Sequence, residues 1–413
     1  MHSNERAKII NDPIYGFIEI DKGIINDLIN HEYFQRLRRI SQLGLSYLVY
    51  PGAQHTRFQH ALGCLYLMKK ALLQLESKGH IITKEEKEGV QIAILLHDIG
   101  HSPFSHALER TLIKNISHEE ITLMYMHRFN EIFNGKLSVA IKIFTNNYHK
   151  KFLYQLVSSQ LDLDRLDYLK RDSFFTGVTE GNIGVDRIIN MIDIKNDQIV
   201  IEEKGIYSIE KFLLARRLMY WQVYLHKTVL SSEMMLIKLI QRALFLTNNN
   251  KKIYLSPEID FFLKNKFSLK DLENDKIILE KFSKIDDYEI FTCLKYWTKE
   301  NDYVLSNLSK KILNRDLLKI KIQKHEFKAE MIENSINLMM KNKNISKEEA
   351  NYFIFSDKVS NSMYTDDDSD IKILFKNGKI DDFNKCSEQF DDNIINKTIN
   401  KYFFCSPIDY INS

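Results

Sequence analysis

Cysteine, proline and glycine are scarce, since the 413 residues include only 4 Cys, 5 Pro and 14 Gly. The cysteines are scattered and show no Cys-x-x-Cys spacing, which argues against a zinc ribbon and against a disulfide framework. We therefore expect reduced thiols in a cytoplasmic protein. Because so few helix-breaking residues are present, the composition favours a mainly helical fold.

Long apolar runs and an excess of one charge are missing too. No stretch of about 18 apolar residues occurs, and "MHSNERAKIINDPIYG" (1–16) has no apolar signal-peptide core, so we expect neither a membrane span nor secretion. The 58 basic and 55 acidic residues leave a net charge of +3, which gives no general indication of nucleic-acid binding. A chain of this length can bury a large core without disulfides or a structural metal.

Apolar residues recur at the spacing of helices. From Phe58 to Leu75 they follow one another in steps of three and four, which predicts a buried helix face. Capping-box patterns, in Thr83 with Glu86 and in "SHEE" (117–120), predict the starts of two more helices. Unbroken helices are also predicted over residues 24–42, 149–172 and 208–247.

Short strands are predicted between and after the helices. One is "YGFIEI" (15–20), and a hairpin is expected in residues 194–202. A second hairpin, with an Asn-Gly turn, is expected in residues 371–383. The polar stretch "LTNNNKK" (246–252) marks a break, after which helical patterns resume to about residue 312 and the strands follow. We therefore predict a helical domain in residues 1–245 and, in residues 246–413, a helical and α+β C-terminal region that contributes to assembly.

One motif concentrates chemical groups at the end of a buried helix. In "AILLHDIGHSPFSHALE", the apolar run ends in His97 and Asp98, whose imidazole nitrogen and carboxylate oxygen suit divalent metals. Two adjacent ligands cannot complete a coordination sphere. "HTRFQH" offers His60 at the start of the preceding buried helix, and a further acid is available in "QLDLDRLDYLKRD" (160–172). The sequence therefore predicts a metal site built from three helices.

Helical geometry groups the polar residues of the last motif. At about 100° per residue, four side chains share one third of a helical turn, away from the leucines: Asp164, Arg165, Tyr168 and Asp172. Carboxylates, a guanidinium and a phenol suit a metal site beside a phosphate pocket. A surface helix with salt-bridged neighbours would carry the same pattern.

In this order, "HTRFQH", "LLHDIGHSPFSHALE", "SHEE" and "LDLDRLDYLKRD" resemble the motifs of the HD superfamily of metal-dependent phosphohydrolases. Within it they most resemble the deoxynucleoside triphosphate triphosphohydrolases, which include the animal SAM-and-HD-domain enzyme and bacterial relatives. The similarity covers residues 13–245, without a SAM domain, and is weaker at 310–322. The implied fold is mainly α, an HD-domain helical bundle with short β hairpins, plus a small α+β C-terminal lobe.

The resemblance assigns roles residue by residue. The implied ligands of one divalent metal ion (Mn, Fe, Mg, Zn or Co) are His60, His97, Asp98 and Asp164. The implied catalytic residues are His101, His106, Glu109 and His118. The implied substrate-binding residues are Gln42, Leu43, Arg57, Arg165, Tyr168, Asp172, Arg216 and Tyr224. Two positions depart from the family, since Glu109 stands where relatives commonly have Asp, and Arg165 where they often have Lys.

By the same resemblance, the chain hydrolyses deoxynucleoside triphosphates to a deoxynucleoside and inorganic triphosphate. His106 and His118 are both candidates for the general acid that protonates the leaving 5′-oxygen. Arg216 would bind phosphate, although Arg216 and Arg217 also fit a surface pair on a long helix. The implied partners are deoxynucleoside triphosphates as substrate and activator, further copies of the chain in a homo-oligomer, and single-stranded nucleic acid, with no membrane.

Two other functions are compatible with the same motifs. One is another HD hydrolase, namely a phosphodiesterase or nucleotidase that acts on a different phosphate ester. It would share the metal ligands and differ in the residues that bind the triphosphate and the sugar. A nucleotide- or nucleic-acid-binding regulator without turnover is the second alternative. The presence of all four metal-ligand positions argues against such a silent protein. Release of inorganic triphosphate, rather than orthophosphate or pyrophosphate, separates the first function from the phosphodiesterase or nucleotidase.

Overall fold

Helices make up most of the computed structural model, which describes residues 7–104, 108, 116–361, 370–390 and 398–411. In the first part of the chain the described α-helices are α1 (Ile24–Asn30), α2 (Glu32–Gln35), α3 (Arg57–Ser77), α4 (Lys84–Leu96), α5 (His118–Ile132), α6 (Ser138–Phe144), α7 (Lys151–Val157), α8 (Leu163–Thr176), α9 (Val185–Met191), α10 (Ile206–Met219) and α11 (Lys227–Asn248). In the second part they are α12 (Pro257–Lys264), α13 (Leu269–Asn274), α14 (Lys276–Phe282), α15 (Asp287–Trp297), α16 (Tyr303–Leu313), α17 (Ala329–Lys343), α18 (Lys347–Ala350) and α19 (Phe383–Cys386). Within these described ranges, none of the helices has the length and apolar character needed to cross a membrane.

The described strands form three small sheets. They are β1 (Lys8–Asp12), β2 (Gly16–Ile20), β3 (Ile192–Lys195), β4 (Gln198–Glu202), β5 (Lys319–Gln323), β6 (Phe355–Asn361), β7 (Lys372–Leu374), β8 (Ile380–Asp382) and β9 (Ile399–Ser406). The strand orders are β1-β2, β3-β4-β7-β8 and β5-β9-β6. Strand β7 runs parallel to β4, with Ile201 opposite Ile373. This sheet therefore crosses the predicted division at residue 245, which itself stays a prediction.

The predicted fold class is confirmed, since a helical bundle with short β hairpins is followed by a small α+β region. The helix starts at Thr83 and Ser117 are confirmed as well, because each side chain accepts a hydrogen bond from the backbone N–H three residues later. Both predicted hairpins form, as β3-β4 and as β7-β8.

Three predictions of unbroken helices are wrong, and the segments concerned are residues 24–42, 149–172 and 208–247. His31 separates α1 from α2, Asp162 precedes α8, and His226 precedes α11. In each case the side chain accepts a backbone N–H and so favours a new helix start. Apolar spacing continues across all three breaks, so periodicity alone could not locate them.

Helix α3 lies at the centre of the bundle and packs against α4 and α8. Its predicted apolar face is buried, including Leu65, Met68 and Leu72. A glycine allows α8 to approach closely, because a Cβ atom at Gly63 would lie 2.0 Å from Asp167 Oδ1. The first turns of α3 and α8 and the end of α4 therefore meet at one place.

Candidate active site

The four predicted metal ligands meet where α3, α4 and α8 converge. His60 Nε2 lies 2.9 Å from Asp164 Oδ1 and 3.6 Å from Asp98 Oδ2. His97 Nε2 lies 3.4 Å from Asp164 Oδ1 and 3.5 Å from Asp98 Oδ1. Ligand atoms that bind one ion at about 2.0–2.2 Å lie about 3.0–3.5 Å from one another. The observed spacing therefore suits one divalent cation.

The orientation of both imidazoles also fits metal binding. His97 donates its Nδ1 proton to the Ile94 carbonyl oxygen at 2.6 Å, and its buried Nε2 has no hydrogen-bond partner among the described residues. His60 Nδ1 lies 2.7 Å from Asp167 Oδ2, so its Nε2 also faces the cluster. A buried nitrogen without a partner is unfavourable, and metal-binding imidazoles are held by a hydrogen bond at their other nitrogen. The donor set therefore fits a divalent metal ion.

Opposite charges are packed tightly in this cluster. Burial acts to lower the pKa of His60, but hydrogen bonds to the Asp164 and Asp167 carboxylates outweigh it and raise the pKa well above its usual value. Burial acts to raise the pKa of Asp98, but Arg57 and the two imidazoles lower it to about 2. For Asp164, burial is outweighed by its interactions with the same imidazoles, which hold its pKa well below the usual range. Metal binding here would displace protons from the imidazoles.

Cys64 lies one turn after His60 on α3, with its Sγ 3.6 Å from both ring nitrogens. The scattered cysteine pattern did not predict this position. Burial raises the pKa of the Cys64 thiol above its usual value. Because a bound metal ion deprotonates a thiol that coordinates it, Cys64 is a further candidate ligand beside the four predicted ones, in a group with His60, His97 and Asp164.

The cluster opens into a cleft of about 390 Å³. The predicted site residues that line it are Gln42, Leu43, Arg57, Asp98, His101, His118, Asp164, Tyr168, Asp172 and Tyr224. The lining residues that sequence reasoning missed are Gly44, Ser46, Phe104, Tyr220, Leu225 and Glu233. Carboxylates, imidazoles and aromatic rings therefore share one cavity of the size that small-molecule ligands occupy in proteins.

Comparison with known proteins identifies the family. Residues 57–172 match the HD domain, and residues 183–260 match the HD-associated region. The crystal structure of a phosphohydrolase from Bacteroides thetaiotaomicron is 50% identical in sequence, with a TM-score of 0.94 over 97% of this chain and 100% of that one. The uncharacterised protein YwfO of Bacillus subtilis is 33% identical over 317 residues, covering 75% of this chain and 71% of YwfO.

The chain belongs to the HD-domain phosphohydrolase family. A relative with a named substrate matches part of this HD-domain protein. The deoxynucleoside triphosphate triphosphohydrolase SAMHD1 homolog of Dictyostelium discoideum is 32% identical over 253 residues, covering 57% of this chain and 49% of that protein. The HD-domain chain thus spans about half the length of this relative.

Two predicted catalytic histidines lie close together beside the predicted metal ligands. The ring centres of His101 and His118 are 3.8 Å apart, and His101 Nδ1 lies 3.3 Å from Asp98 Oδ1. His118 Nε2 lies 3.2 Å from Glu119 Oε1. A Cβ atom at Gly100 would lie 2.2 Å from the His118 carbonyl oxygen, so only glycine permits this approach. Two other predicted catalytic residues lie outside the described residues, namely His106 and Glu109.

Asp172 is held from two sides in the cleft of the HD domain. One carboxylate oxygen lies 2.7 Å from His55 Nε2, and the other accepts a hydrogen bond from the Tyr224 hydroxyl at 2.8 Å. The His55 ring stacks on Phe175 with 4.5 Å between ring centres. Sequence reasoning missed His55, although it stands in the same "HTRFQH" motif as two predicted site residues. These contacts fix the position of the Asp172 carboxylate.

The predicted phosphate-binding arginines differ in their surroundings. Arg57 is buried and forms an ion pair with Asp98. Arg216 is only 4% exposed and donates a hydrogen bond to Gln160 at 3.2 Å, so the alternative of a surface arginine is wrong for this residue. Arg165 is half-buried, and neither it nor Arg216 lines the cleft as described.

A π-helical turn, Tyr220–Tyr224, joins α10 to the start of α11 and brings two tyrosines to the cleft. The rings of Tyr220 and Tyr224 are 5.1 Å apart and perpendicular, at 90°. Because a π turn departs from the spacing of an α-helix, the apolar pattern that predicted one long helix could not place Tyr220. Such turns occur often at functional sites of proteins.

Glu233 on α11 places a carboxyl group in the cleft, where burial raises its pKa from 4.5 to about 7. As the pH rises between these values, the unfolded chain ionises at this residue while the folded chain stays protonated. Stability is therefore lost as the pH rises from 4.5 to about 7. A carboxyl group that stays in a cleft although its burial lowers the stability of the folded chain is typical of a group that contacts substrate.

We expect Glu233→Gln to raise the melting temperature by a few degrees at pH 8 and by less at pH 5, because the amide carries no charge to bury. Differential scanning calorimetry at both pH values measures the effect. The matched control is Glu273→Gln, at an exposed position of α13, which should shift the melting temperature equally at both pH values. An identical melting temperature for Glu233→Gln and wild type at pH 8 would contradict the prediction.

Proposed function

We propose that this HD-domain protein hydrolyses deoxynucleoside triphosphates to deoxynucleosides and inorganic triphosphate. The observation that carries the proposal is the continuity of one cleft, in which the metal-ligand carboxylates share a cavity with groups suited to a sugar and to phosphates. Similarity to a deoxynucleoside triphosphate triphosphohydrolase over 253 residues supports the same substrate class.

Different residues of the chain have separate roles in the proposed reaction. When bound at the cluster, a divalent cation supplies a water molecule of lowered pKa and neutralises charge on the α-phosphoryl group. Arg57, buried beside Asp98, keeps a positive charge next to that phosphate. His118 lines the cleft and donates a proton to the 5′-oxygen as its bond to the α-phosphorus breaks. Water would contribute its oxygen to the α-phosphorus as this bond breaks, so the products are a deoxynucleoside with a free 5′-hydroxyl and inorganic triphosphate.

The sugar is assigned to the wall that carries Gln42, Leu43 and Asp172. Gln42 Oε1 is buried without a hydrogen-bond partner among the described residues, so it is available to accept one from a 3′-hydroxyl. The Asp172 carboxylate supplies a second acceptor. Leu43 offers no polar group, so a 2′-hydroxyl placed beside it would lose its hydrogen bonds to water. This wall therefore favours a deoxyribose.

The test is identification of the products. Purified protein is incubated with each deoxynucleoside and ribonucleoside triphosphate in Mn²⁺ or Mg²⁺, and the mixture is separated by ion-exchange chromatography. We expect a deoxynucleoside and inorganic triphosphate in equal amounts. Orthophosphate or pyrophosphate would refute the proposal in favour of a nucleotidase or phosphodiesterase, and tight nucleotide binding without turnover in either metal would favour a regulator.

A further inference from the structure

Two stretches that wall the cleft are fastened to one carboxylate from the C-terminal region. The sugar-side loop is residues 41–44, and the HD turn is residues 101–104. Asp287, the first residue of α15, is 4% exposed. One of its oxygens accepts the Ser41 N–H at 2.8 Å, and the other accepts the Phe104 N–H at 2.9 Å. A single side chain therefore links the sugar-side loop to the HD turn.

A second contact holds the same C-terminal segment against the HD turn. The buried Arg36 guanidinium donates to the Ile285 carbonyl oxygen at 2.7 Å and to the His101 carbonyl oxygen at 2.9 Å. Burial of the guanidinium charge is tolerated because its N–H groups donate hydrogen bonds to these carbonyl oxygens. The residues just before α15 are thus fixed to the HD turn independently of Asp287.

The two walls lie close together at Gly44 and Phe104. A Cβ atom at Gly44 would lie 3.4 Å from the Phe104 carbonyl oxygen. The backbone of Phe104 has a φ of 54°, in the left-handed region that residues other than glycine rarely adopt. A strained residue keeps this conformation only when its surroundings hold it, and the Asp287 hydrogen bond is one such restraint.

We propose that Asp287 is a positioning residue that sets the width of the cleft at the deoxyribose, so that the region beyond residue 246 completes the active site. The proposal rests on the proposed function, because it assigns the sugar to the wall beside Leu43. An ionised carboxylate has two acceptor oxygens and no donor, which is what two converging N–H groups require. Leu43 follows Ser41 by two residues, so release of the Ser41 N–H lets the loop move away and admits a 2′-hydroxyl.

The kinetic test compares Asp287→Asn with Asp275→Asn and Leu43→Ala. Asparagine can accept only one of the two N–H groups, because its NH₂ group is a donor. Asp275 is the matched control, since it also stands at the start of a C-terminal helix and accepts a backbone N–H, from Ile277 at 2.9 Å, but is exposed. For Asp287→Asn we expect the KM for deoxynucleotides to rise about tenfold, and the preference for deoxyribose over ribose to fall about tenfold.

The kcat and the metal content of Asp287→Asn should stay within about twofold of wild type, and Asp275→Asn should match wild type throughout. Leu43→Ala should lower the sugar preference in the same direction. The inference is overturned if Leu43→Ala alters sugar preference and Asp287→Asn does not. It is also overturned if Asp287→Asn lowers kcat and metal content together for every substrate, because that pattern indicates a general folding role.

Hydrogen exchange gives a readout that needs no substrate. We expect the amides of Ser41 and Phe104 to exchange about tenfold faster in Asp287→Asn than in wild type or Asp275→Asn. Unchanged exchange at both amides would overturn the inference whatever the kinetics. If the wild-type chain releases no triphosphate from any nucleotide, the proposed function fails, and the exchange rates still decide whether Asp287 fastens the two walls.

Discussion

Asp98→Ala is expected to abolish both metal binding and hydrolysis. The Asp98 carboxylate faces three histidines of the site, with its oxygens 3.3 Å from His101 Nδ1, 3.5 Å from His97 Nε2 and 3.6 Å from His60 Nε2. Its removal takes away one ligand and leaves Arg57, which pairs with it, as an extra positive charge that repels a cation. We expect the metal content to fall from one ion per chain to near zero, and hydrolysis to fall roughly a thousandfold or more.

Metal analysis by mass spectrometry and the product assay measure the two effects separately. Asp193→Ala is the matched control, because Asp193 also pairs with a histidine, His80 at 2.6 Å, but does not line the cleft. This control should keep its metal and its rate. A normal rate of triphosphate release by Asp98→Ala would show that the proposed metal ligands are wrong.

Asp167→Ala should cost about 3 kcal/mol of unfolding free energy and weaken metal binding roughly ten- to hundredfold. Asp167 is fully buried, lies 2.7 Å from His60 Nδ1, and accepts hydrogen bonds from Arg171 at 2.9 and 3.0 Å. Without it, the buried Arg171 retains only the Asp12 carboxylate, at 2.8 Å, as a described charged partner. The His60 imidazole also loses the hydrogen bond that directs its Nε2 towards the cation.

Urea unfolding and titration with Mn²⁺ measure these two quantities. The control is Asp186→Ala. This substitution removes an ion pair of 2.6 Å between Asp186 and Lys70, in which the Asp186 side chain is 67% exposed. Exposed pairs contribute less than about 1 kcal/mol, and this pair is remote from the metal ligands. Equal stability losses in both variants, with normal metal affinity in Asp167→Ala, would contradict the role given to the buried carboxylate.

The proximity of the four predicted metal ligands could be predicted from sequence because each stands in a short motif at a helix end. His97 and Asp98 follow a buried helix, His60 lies in the first turn of another, and Asp164 lies in the first turn of a third. The family resemblance then supplied the pairing of these motifs across a hundred residues. The structure brings the four side chains together, while the role of each residue stays a prediction, as do cytoplasmic location, homo-oligomeric assembly and nucleotide activation.

What sequence reasoning missed depends on contacts between distant segments. Asp167 stands in the same motif as Asp164, but nothing local distinguishes the carboxylate that supports a histidine from the one that faces a cation. Glu233 lies on an apolar helix, and its spacing from the neighbouring residues in the sequence indicates no partner side chain. Asp287 comes more than 240 residues after Ser41, the residue whose backbone N–H it accepts. Such long-range hydrogen bonds leave no periodic signal in one sequence.

The late position of Asp287 has a consequence for how the protein is made. A ribosome releases the chain from its N-terminal end, so the segment that supplies every proposed metal ligand emerges more than a hundred residues before Asp287. A nascent chain that ends before residue 287 therefore contains all the proposed ligand residues but lacks the Asp287 link between the two walls. Selectivity for the sugar would be acquired only after the residues proposed for the chemistry have been made.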